Sequence, residues 1–231
     1  MKTIVMLLAA LVALSAQTPA QKPLRTLVYQ FGYNTPVAAQ GNGTGTTTVQ
    51  IMGPAPDGGM IVTGTDDWWN TARPRAANTC EVYSDGTVAC SQAPNAISPI
   101  QLTLFPLLGA AFFKGVAANP SSSWNRTYTV KAAVLPGAGG YAGQVYTWKC
   151  TYSLQGKGVQ SGSPNVMLTT SGTLAQQGGR YWKATSKQRI VYTPVGKIPI
   201  FVTDTRTHIP MRSVYSNDLV EVKILKDSAH K

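Results

Sequence analysis

Residues 124–134 read WNRTYTVKAAV and residues 146–154 read YTWKCTYSL, and these two stretches decide the fold class. In both, aromatic and apolar side chains occupy alternate positions, which is the period of a β-strand with one apolar face. A connection rich in Pro and Gly, residues 136–140, joins them. We therefore predict two long neighbouring strands, with Trp124 and Tyr152 each on the apolar face of its strand.

The rest of the chain repeats this pattern. Shorter alternating segments are separated by turns such as residues 53–59, and they bring the count to about ten strands. The segment Gln40–Gly45 is predicted to be a flexible loop. Only two glutamates, Glu81 and Glu221, are present, although Glu is common on helical surfaces. The sequence predicts one all-β, or β-rich α+β, domain over residues 21–231, with antiparallel strands in a strongly curved sheet or a partly open barrel.

One segment departs from the strand pattern. Residues 98–114 read SPIQLTLFPLLGAAFFK, in which Ser98 suits a helix N-cap and Pro99 suits the first helical position. Pro106 is expected to kink the helix or to mark its true start. A wide apolar stripe predicts one helix near 98–114, packed on the concave face of the sheet. The alternative is a lid over an apolar cavity or a contact with a membrane surface. The candidate ligand-binding residues of this segment are Leu104, Leu108 and Phe112.

The N-terminus has the pattern of a secretory signal. Lys2 precedes the apolar stretch Ile4–Leu14, and small residues follow as far as Ala20. The stretch is too short to span a bilayer, which takes about 20 residues, and no second stretch of that length follows. We predict a signal peptide at residues 1–20 and an exported protein without a transmembrane span, located in the periplasm, at the cell surface or outside the cell.

Three cysteines are present, and two of them flank a predicted hairpin. Residues 80–90 read CEVYSDGTVAC, in which Asp85-Gly86 is a turn signal between two short alternating runs. This register places Cys80 opposite Cys90, and an exported compartment permits a disulfide between them. The alternative is a bridge from either residue to Cys150. No zinc site is predicted, because no second pair of ligands stands at the required spacing.

The chain is basic, with a formal net charge of +11 at pH 7. Its Lys and Arg residues are scattered, which is typical of a solvated surface. An anionic envelope surface or polysaccharide is the alternative partner. The segment Arg180–Arg189 mixes aromatic and basic residues as single-stranded nucleic-acid binders do. In an exported protein we interpret it as a strand with a basic outer face, and nucleic-acid binding is not expected.

Catalysis finds little support in the sequence. There are two histidines, His208 and His230, and no Gly-x-Ser-x-Gly motif. No pattern selects a catalytic pair from the carboxylates, and His and carboxylate residues are too dispersed for a metal site. We predict no catalytic residue, metal or cofactor. The carboxylates considered for a glycosidase pair are Asp66, Asp67, Glu81 and Asp204.

Residues 66–70 read DDWWN and form the second candidate binding site. Adjacent residues of a strand point to opposite faces, so only one of Trp68 and Trp69 can join the core. An exposed Trp beside carboxylates and an amide is typical of sugar-binding surfaces. A core Trp next to a Trp that closes the sheet end explains the pair without a ligand.

The expected function is that of an exported, non-catalytic binding protein, with an apolar or amphiphilic ligand held between sheet and helix. A long antiparallel sheet with one apolar helix is similar in architecture to the half-open barrels of periplasmic lipid and lipoprotein carriers, although fold analogy alone assigns no function. The first alternative is a carbohydrate-binding module that uses Trp68 and Trp69. A structural cell-envelope protein, or a hydrolase without a recognisable motif, is the remaining alternative.

Overall fold

A computed structural model describes most of the chain after the predicted signal peptide, which itself lies outside the described residues. The described ranges are 22–35, 42–55, 58–69, 76–85, 87–90, 98–118, 123–132, 145–160, 163–177, 183–209 and 216–229.

These residues form eleven strands and one helical segment. The strands are β1 (Arg25–Asn34), β2 (Gly43–Pro54), β3 (Met60–Trp68), β4 (Ala76–Val82), β5 (Val88–Cys90), β6 (Ser123–Ala132), β7 (Val145–Gln160), β8 (Ser163–Gln177), β9 (Lys183–Thr193), β10 (Ile198–Ile209) and β11 (Ser216–Asp227). The helices are α1 (Pro99–Leu104) and α2 (Ala110–Ala118), with a 3-10 turn at Phe105–Leu107 between them. The prediction of a mainly antiparallel β domain is confirmed.

The strands form one sheet that closes into a barrel. Each strand pairs with its neighbours along the chain, and β1 completes the ring by pairing with β11. The sequence left open whether the sheet would close, and a partly open barrel is not what the structure shows. Closure leaves no unpaired strand edge in the described ring, which removes the usual site of edge-to-edge association.

The pair β5–β6 is parallel, whereas the sequence predicted only antiparallel strands. Antiparallel neighbours alternate in direction, so a closed ring with an odd number of strands must contain a parallel pair. Parallel neighbours need a long crossover connection. The helical segment lies within that connection, between the end of β5 and the start of β6.

The predicted single helix over 98–114 is broken in the structure. Ser98 caps α1 as predicted, since its hydroxyl accepts a hydrogen bond from the Gln101 amide at 3.1 Å. The chain tightens into the 3-10 turn that contains Pro106, and Leu108 is extended with ψ of 153°. Gly109 then adopts a φ of +93°, which favours glycine, before α2 begins. The proline and the glycine together divide the apolar segment into two helices.

The inner faces of the strands and the helical segment share one apolar core. Alternate strand residues are buried, as the two-residue period predicts. Gly64 on β3 shows how closely the helical segment approaches, because a Cβ there would lie 2.7 Å from the Phe105 ring and 2.9 Å from Cδ of Gln101. The helical residues in the core are Ile100, Leu104, Phe105, Leu107, Leu108, Phe112 and Val116.

The hairpin of β4 and β5 confirms the cysteine prediction. Cys80 pairs with Cys90 across the two strands and is disulfide-bonded to it. The turn closes with a hydrogen bond from the Tyr83 amide to the Thr87 carbonyl at 2.8 Å, although Gly86 lies outside the described residues. Cys150 on β7 is buried and is not part of the disulfide, so the alternative pairing is not present.

The predicted loop at Gln40–Gly45 is partly wrong, because β2 begins at Gly43. The glycine at position 45 meets a packing need in that strand. A Cβ there would lie 2.2 Å from the carbonyl oxygen of Asp67 and 2.7 Å from the Phe31 ring. Residues 40 and 41 lie outside the described ranges.

No single helix in the described ranges is long and apolar enough to cross a membrane. The pair Pro99–Leu107 and Phe112–Ala118, bent by 51°, has the required length and composition only when its two parts are taken together.

Candidate functional site

The three residues predicted to line a ligand site lie in the core. Leu104 ends α1, Leu108 occupies the extended break, and Phe112 lies in the first turns of α2. All three are buried, with exposed fractions of 0%, 1% and 0%. They belong to the same apolar cluster as the inner strand faces.

Phe112 is surrounded by groups that combine apolar surface with hydrogen-bonding capacity. Its ring lies edge-on to Tyr152 at 5.5 Å and to Tyr192 at 5.0 Å, measured between ring centroids. The Arg126 guanidinium lies 5.8 Å from the Phe112 ring centroid, and its Nη1 donates a hydrogen bond to the Pro106 carbonyl at 2.9 Å. One cation and two phenols therefore meet the ring at which the helical segment contacts β6, β7 and β9.

The two phenols are buried in an unusual way. The Tyr192 hydroxyl has no hydrogen-bond partner among the described residues, whereas the Tyr152 hydroxyl lies within hydrogen-bonding reach of the Arg126 and Cys150 side chains. Burial raises the pKa of both tyrosines above the ordinary value, and the positive charge of Arg126 opposes the shift. Tyr29 offers a contrast, because its buried hydroxyl donates to the Pro199 carbonyl at 3.0 Å. A buried polar atom without a partner is rare in folded proteins.

A polar network joins α1 to β3 and β4. Nε2 of Gln101 donates to Oδ1 of Asp66 at 3.1 Å, and Oε1 of Gln101 accepts from Nδ2 of Asn78 at 2.6 Å. Asp66 and Thr47 face each other across β3 and β2, and the buried Thr47 hydroxyl lies beside the Asp66 carboxylate. Burial raises the pKa of Asp66, and the polar groups of Ser98, Thr47 and Gln101 oppose the shift.

A second polar network joins α1 to β9 and β10, and its two buried charges are paired with each other. Asp204 forms a buried ion pair with Arg206, with 2.7 Å between Oδ2 and Nη2. The Ser186 hydroxyl donates to Oδ1 at 2.6 Å, and the Gln188 amide donates to Oδ2 at 3.1 Å. Thr103 reaches the pair from α1 and accepts a hydrogen bond from Arg206 at 2.8 Å. This arrangement holds the helix against the strands.

The four carboxylates that the sequence offered for a catalytic pair divide between the two faces of the sheet. Asp66 and Asp204 are both buried, but they contact α1 through different residues, Gln101 and Thr103. Asp67 points to the outer face of β3 and Glu81 to the outer face of β4. No cluster of three or more His, Cys, Asp or Glu residues occurs within the described ranges.

The adjacent tryptophans take opposite faces of the chain, as the strand period predicts. Trp68 packs edge-on against Phe31 at 4.7 Å and Tyr33 at 6.1 Å between ring centroids. Trp69 follows β3 and is 56% exposed. Its amide donates to the Thr44 carbonyl at 2.9 Å, which fixes the exposed ring beside β2.

A surface groove with a volume of about 430 Å³ lies next to Trp69 on the outer face of β11, β1 and β2. Gly32 contributes open space at its floor, since a Cβ there would meet nothing within 4 Å. Thr44 lines the groove and is also the cross-strand neighbour of Trp69. The other lining residues are Tyr33, Asn34, Asn42, Gly43, Leu219 and Glu221.

A second groove of about 380 Å³ crosses the outer face of β7, β8, β9 and β10. Lys187 and Arg189 on β9 project into it, and both are exposed. We name as the basic hydroxyl face the two cations and the six outward Ser and Thr residues of this groove. Its members are Thr151, Ser153, Thr169, Ser171, Lys187, Arg189, Thr203 and Thr205.

The sequence predicted a basic outer face for the strand at Arg180–Arg189, and the exposed Lys187 and Arg189 on β9 agree with it. It did not predict the rows of hydroxyls beside these cations, although it carries a further signal for the face. Residues 86–203 contain ten Lys or Arg residues and no Asp or Glu. The remaining segments hold ten cations and all nine carboxylates, so nearly all of the net charge comes from the central segment. The cations themselves are scattered along this segment. The informative signal is that no carboxylate lies among them.

Comparisons of the chain with protein-family models, with curated proteins and with solved structures found no match. The geometry of the described residues therefore carries the functional argument.

Proposed function

We propose that this chain is an exported, non-catalytic binding protein that holds an apolar or amphiphilic ligand between the strands and the helical segment. In this proposal the helical segment lies against the concave face of the barrel wall. The observation that carries it is the buried Tyr192 hydroxyl beside Phe112, which has no hydrogen-bond partner among the described residues.

The unpartnered Tyr192 hydroxyl destabilises the ligand-free core. A buried donor without a partner costs about 1–3 kcal/mol. If packing alone mattered at this position, Phe would fill nearly the same space without that cost. A ligand with an accepting polar end would recover this energy by taking a hydrogen bond from Tyr192. Its apolar part would lie along Leu104, Leu108 and Phe112, and Arg126 would favour an anionic or strongly polar end.

Tyr192→Phe tests the role of the hydroxyl. In ligand-free protein we expect the free energy of unfolding, measured in urea, to rise by about 1–3 kcal/mol, because an unpartnered buried hydroxyl is removed. The matched control is Tyr29→Phe, which loses a real hydrogen bond to the Pro199 carbonyl and should lower the free energy of unfolding by about 0.5–1.5 kcal/mol.

Ligand occupancy is tested by native mass spectrometry of protein purified gently from its own compartment. We expect a bound apolar molecule, and adding that molecule back should raise the melting temperature of wild type more than that of Tyr192→Phe. Leu108→Ala should cost less than about 2 kcal/mol if Leu108 lines a ligand space. Ligand-free protein together with a Leu108→Ala loss of about 2–5 kcal/mol would overturn the proposal.

A specific observation also favours the carbohydrate alternative. Trp69 exposes its ring beside a groove that has an open glycine floor and polar walls at Asn34, Thr44 and Glu221. An aromatic ring can pack on a sugar face while amide, hydroxyl and carboxylate groups bond the sugar hydroxyls.

Retention on insoluble neutral polysaccharides tests this second candidate. Trp69→Ala should abolish retention and change the free energy of unfolding by less than about 0.5 kcal/mol, as exposed substitutions usually do. Trp68→Ala is the matched control, and it should lower stability by about 3–5 kcal/mol because Trp68 packs on Phe31 and Tyr33. Undiminished retention of the Trp69 variant would exclude this site.

A further inference from the structure

We propose that the basic hydroxyl face is a binding site for an acidic polysaccharide, on the opposite side of the barrel wall from the proposed interior site and independent of it. The geometry is regular. Lys187 is paired across the sheet with Ser171 on one side and Thr205 on the other. Arg189 is paired in the same way with Thr169 and Thr203. Each cation therefore lies between two hydroxyls on the same face of the sheet.

The two rows continue on β7. Thr151 follows Ser171 in the Lys187 row, and Ser153 follows Thr169 in the Arg189 row. Neighbouring strands are about 4.8 Å apart, so each row presents hydrogen-bonding groups at short, even intervals across four strands. A polymer laid across the strands would meet a hydroxyl, a cation and further hydroxyls in turn.

Charge complementarity indicates an anionic occupant. No carboxylate occurs anywhere in residues 86–203, which supply β7, β8, β9 and the first half of β10. Asp204 on β10 faces the interior and is paired with Arg206. Glu221 on β11 is the first carboxylate reached along the Arg189 row, one strand beyond Thr203. The cations of this face therefore act on a partner with little opposition from neighbouring negative charge.

The neutral groups of the face indicate which kind of polyanion binds. Six of the eight side chains are Ser or Thr, which can both donate to sulfate or carboxylate oxygens and exchange hydrogen bonds with sugar hydroxyls. None of the eight is an aromatic ring on which nucleic-acid bases could stack. None is a large apolar side chain of the kind that inserts into a bilayer interface, and the exposed Met167 lies outside the groove, in the next row of the same face. The face therefore fits a polymer that combines charge with many hydroxyls.

Binding of dextran sulfate to the full mature chain tests the proposal, with uncharged dextran of the same length as reference. The site variant is Lys187→Gln/Arg189→Gln, and the matched control is Lys223→Gln/Lys226→Gln, which removes the same charge from exposed positions of β11. At physiological salt we expect about ten-fold weaker binding for the site variant and about two-fold or less for the control. Wild type should not bind uncharged dextran measurably.

Several outcomes would overturn the proposal. Equal losses in the two double variants would show that overall charge, and not this face, binds the polymer. Wild-type binding to phosphatidylglycerol vesicles or to single-stranded DNA as tight as to dextran sulfate would replace the polysaccharide with that partner.

If the Gln variant does not fold by circular dichroism, Lys187→Thr/Arg189→Thr keeps strand-forming residues and serves instead. Tyr192→Phe should leave dextran sulfate binding unchanged, which separates this site from the interior one.

Discussion

Asp66 and Asp204 are two buried carboxylates that reach the same short helix, and their surroundings differ in charge. Asp204 has Arg206 as a counter-ion, together with donors from Ser186 and Gln188. Asp66 has neutral partners instead, which are the amide of Gln101 and the hydroxyls of Ser98 and Thr47. The same side chain thus lies beside a cation in one place and beside neutral groups in the other.

Asp66→Asn is therefore expected to stabilise the protein at neutral pH by about 1 kcal/mol. The new amide keeps the acceptor for Gln101 and gives Thr47 a donor across the strand pair. Because burial raises the pKa of Asp66 in the folded state, its contribution to stability is complete below the ordinary value of 3.8 and is lost as pH rises through the folded-state value. Urea unfolding over a pH series should show that this loss disappears in the variant.

Asp204→Asn is the matched substitution, and the opposite result is expected. Removing the charge leaves Arg206 buried without its counter-ion, which typically costs about 3–5 kcal/mol. If both variants shift stability in the same direction at neutral pH, the difference in electrostatic environment is not what distinguishes the two sites.

Sequence patterns predict the surroundings of some buried side chains but not of others. The opposite faces of Trp68 and Trp69 follow from the two-residue strand period, which needs only local information. The partners of the aspartates are distant, since Gln101 is 35 positions from Asp66 and Thr103 is 101 positions from Asp204. No local sequence spacing distinguishes an aspartate that has a counter-ion from one that has neutral partners. The Cys80–Cys90 pair was predictable because the turn sets the register within a single hairpin.

At the scale of elements, the helical segment was identified but its break was only partly foreseen. Pro106 predicted a kink, because proline removes an amide donor and clashes with the preceding turn. The break also uses the positive φ of Gly109, and a glycine in a sequence does not by itself reveal whether it serves a positive φ or a close packing contact. Gly45 shows the same ambiguity in a strand. The Gly-rich composition of Gln40–Gly45 predicted a loop, whereas the small size of Gly45 allows this residue to pack against Phe31.

Gly64→Ala tests whether α1 packs directly on β3. The added Cβ would lie 2.7 Å from the Phe105 ring and 2.9 Å from Cδ of Gln101, so the helix or the strand must move. We expect the free energy of unfolding in urea to fall by about 1–3 kcal/mol, as in other overpacked cores.

The control for that substitution is Gly32→Ala on the outer face of β1. A Cβ there meets nothing within 4 Å, so the variant should keep wild-type stability or gain up to about 1 kcal/mol through a less flexible unfolded chain. A Gly64→Ala variant as stable as Gly32→Ala would mean that the helix does not approach β3 as closely as the structure shows.

At the scale of the whole molecule, ring closure was the part of the fold least accessible to sequence patterns. Local alternation identifies strands, but it does not say whether the first and last of them meet. In the structure β1 and β11 pair along most of their length, and Arg25 at the start of β1 forms an ion pair with Asp227 at the end of β11. The Ser228 amide also donates to the Thr26 carbonyl at 3.0 Å, so the two ends of the described barrel lie side by side.

A circular permutant tests this closure. Residue 229 is joined to residue 22 by a linker of about four residues, the length of an ordinary hairpin loop, and the chain is opened between β8 and β9. Because the joined ends are already neighbours, we expect cooperative urea unfolding with a free energy within about 1 kcal/mol of the uncut chain. The comparison protein lacks residues 216–229, which exposes the edges of β1 and β10, and it should aggregate or lose cooperative unfolding. A permutant that fails to fold, with a truncated protein that retains full stability, would show that β11 does not close the barrel.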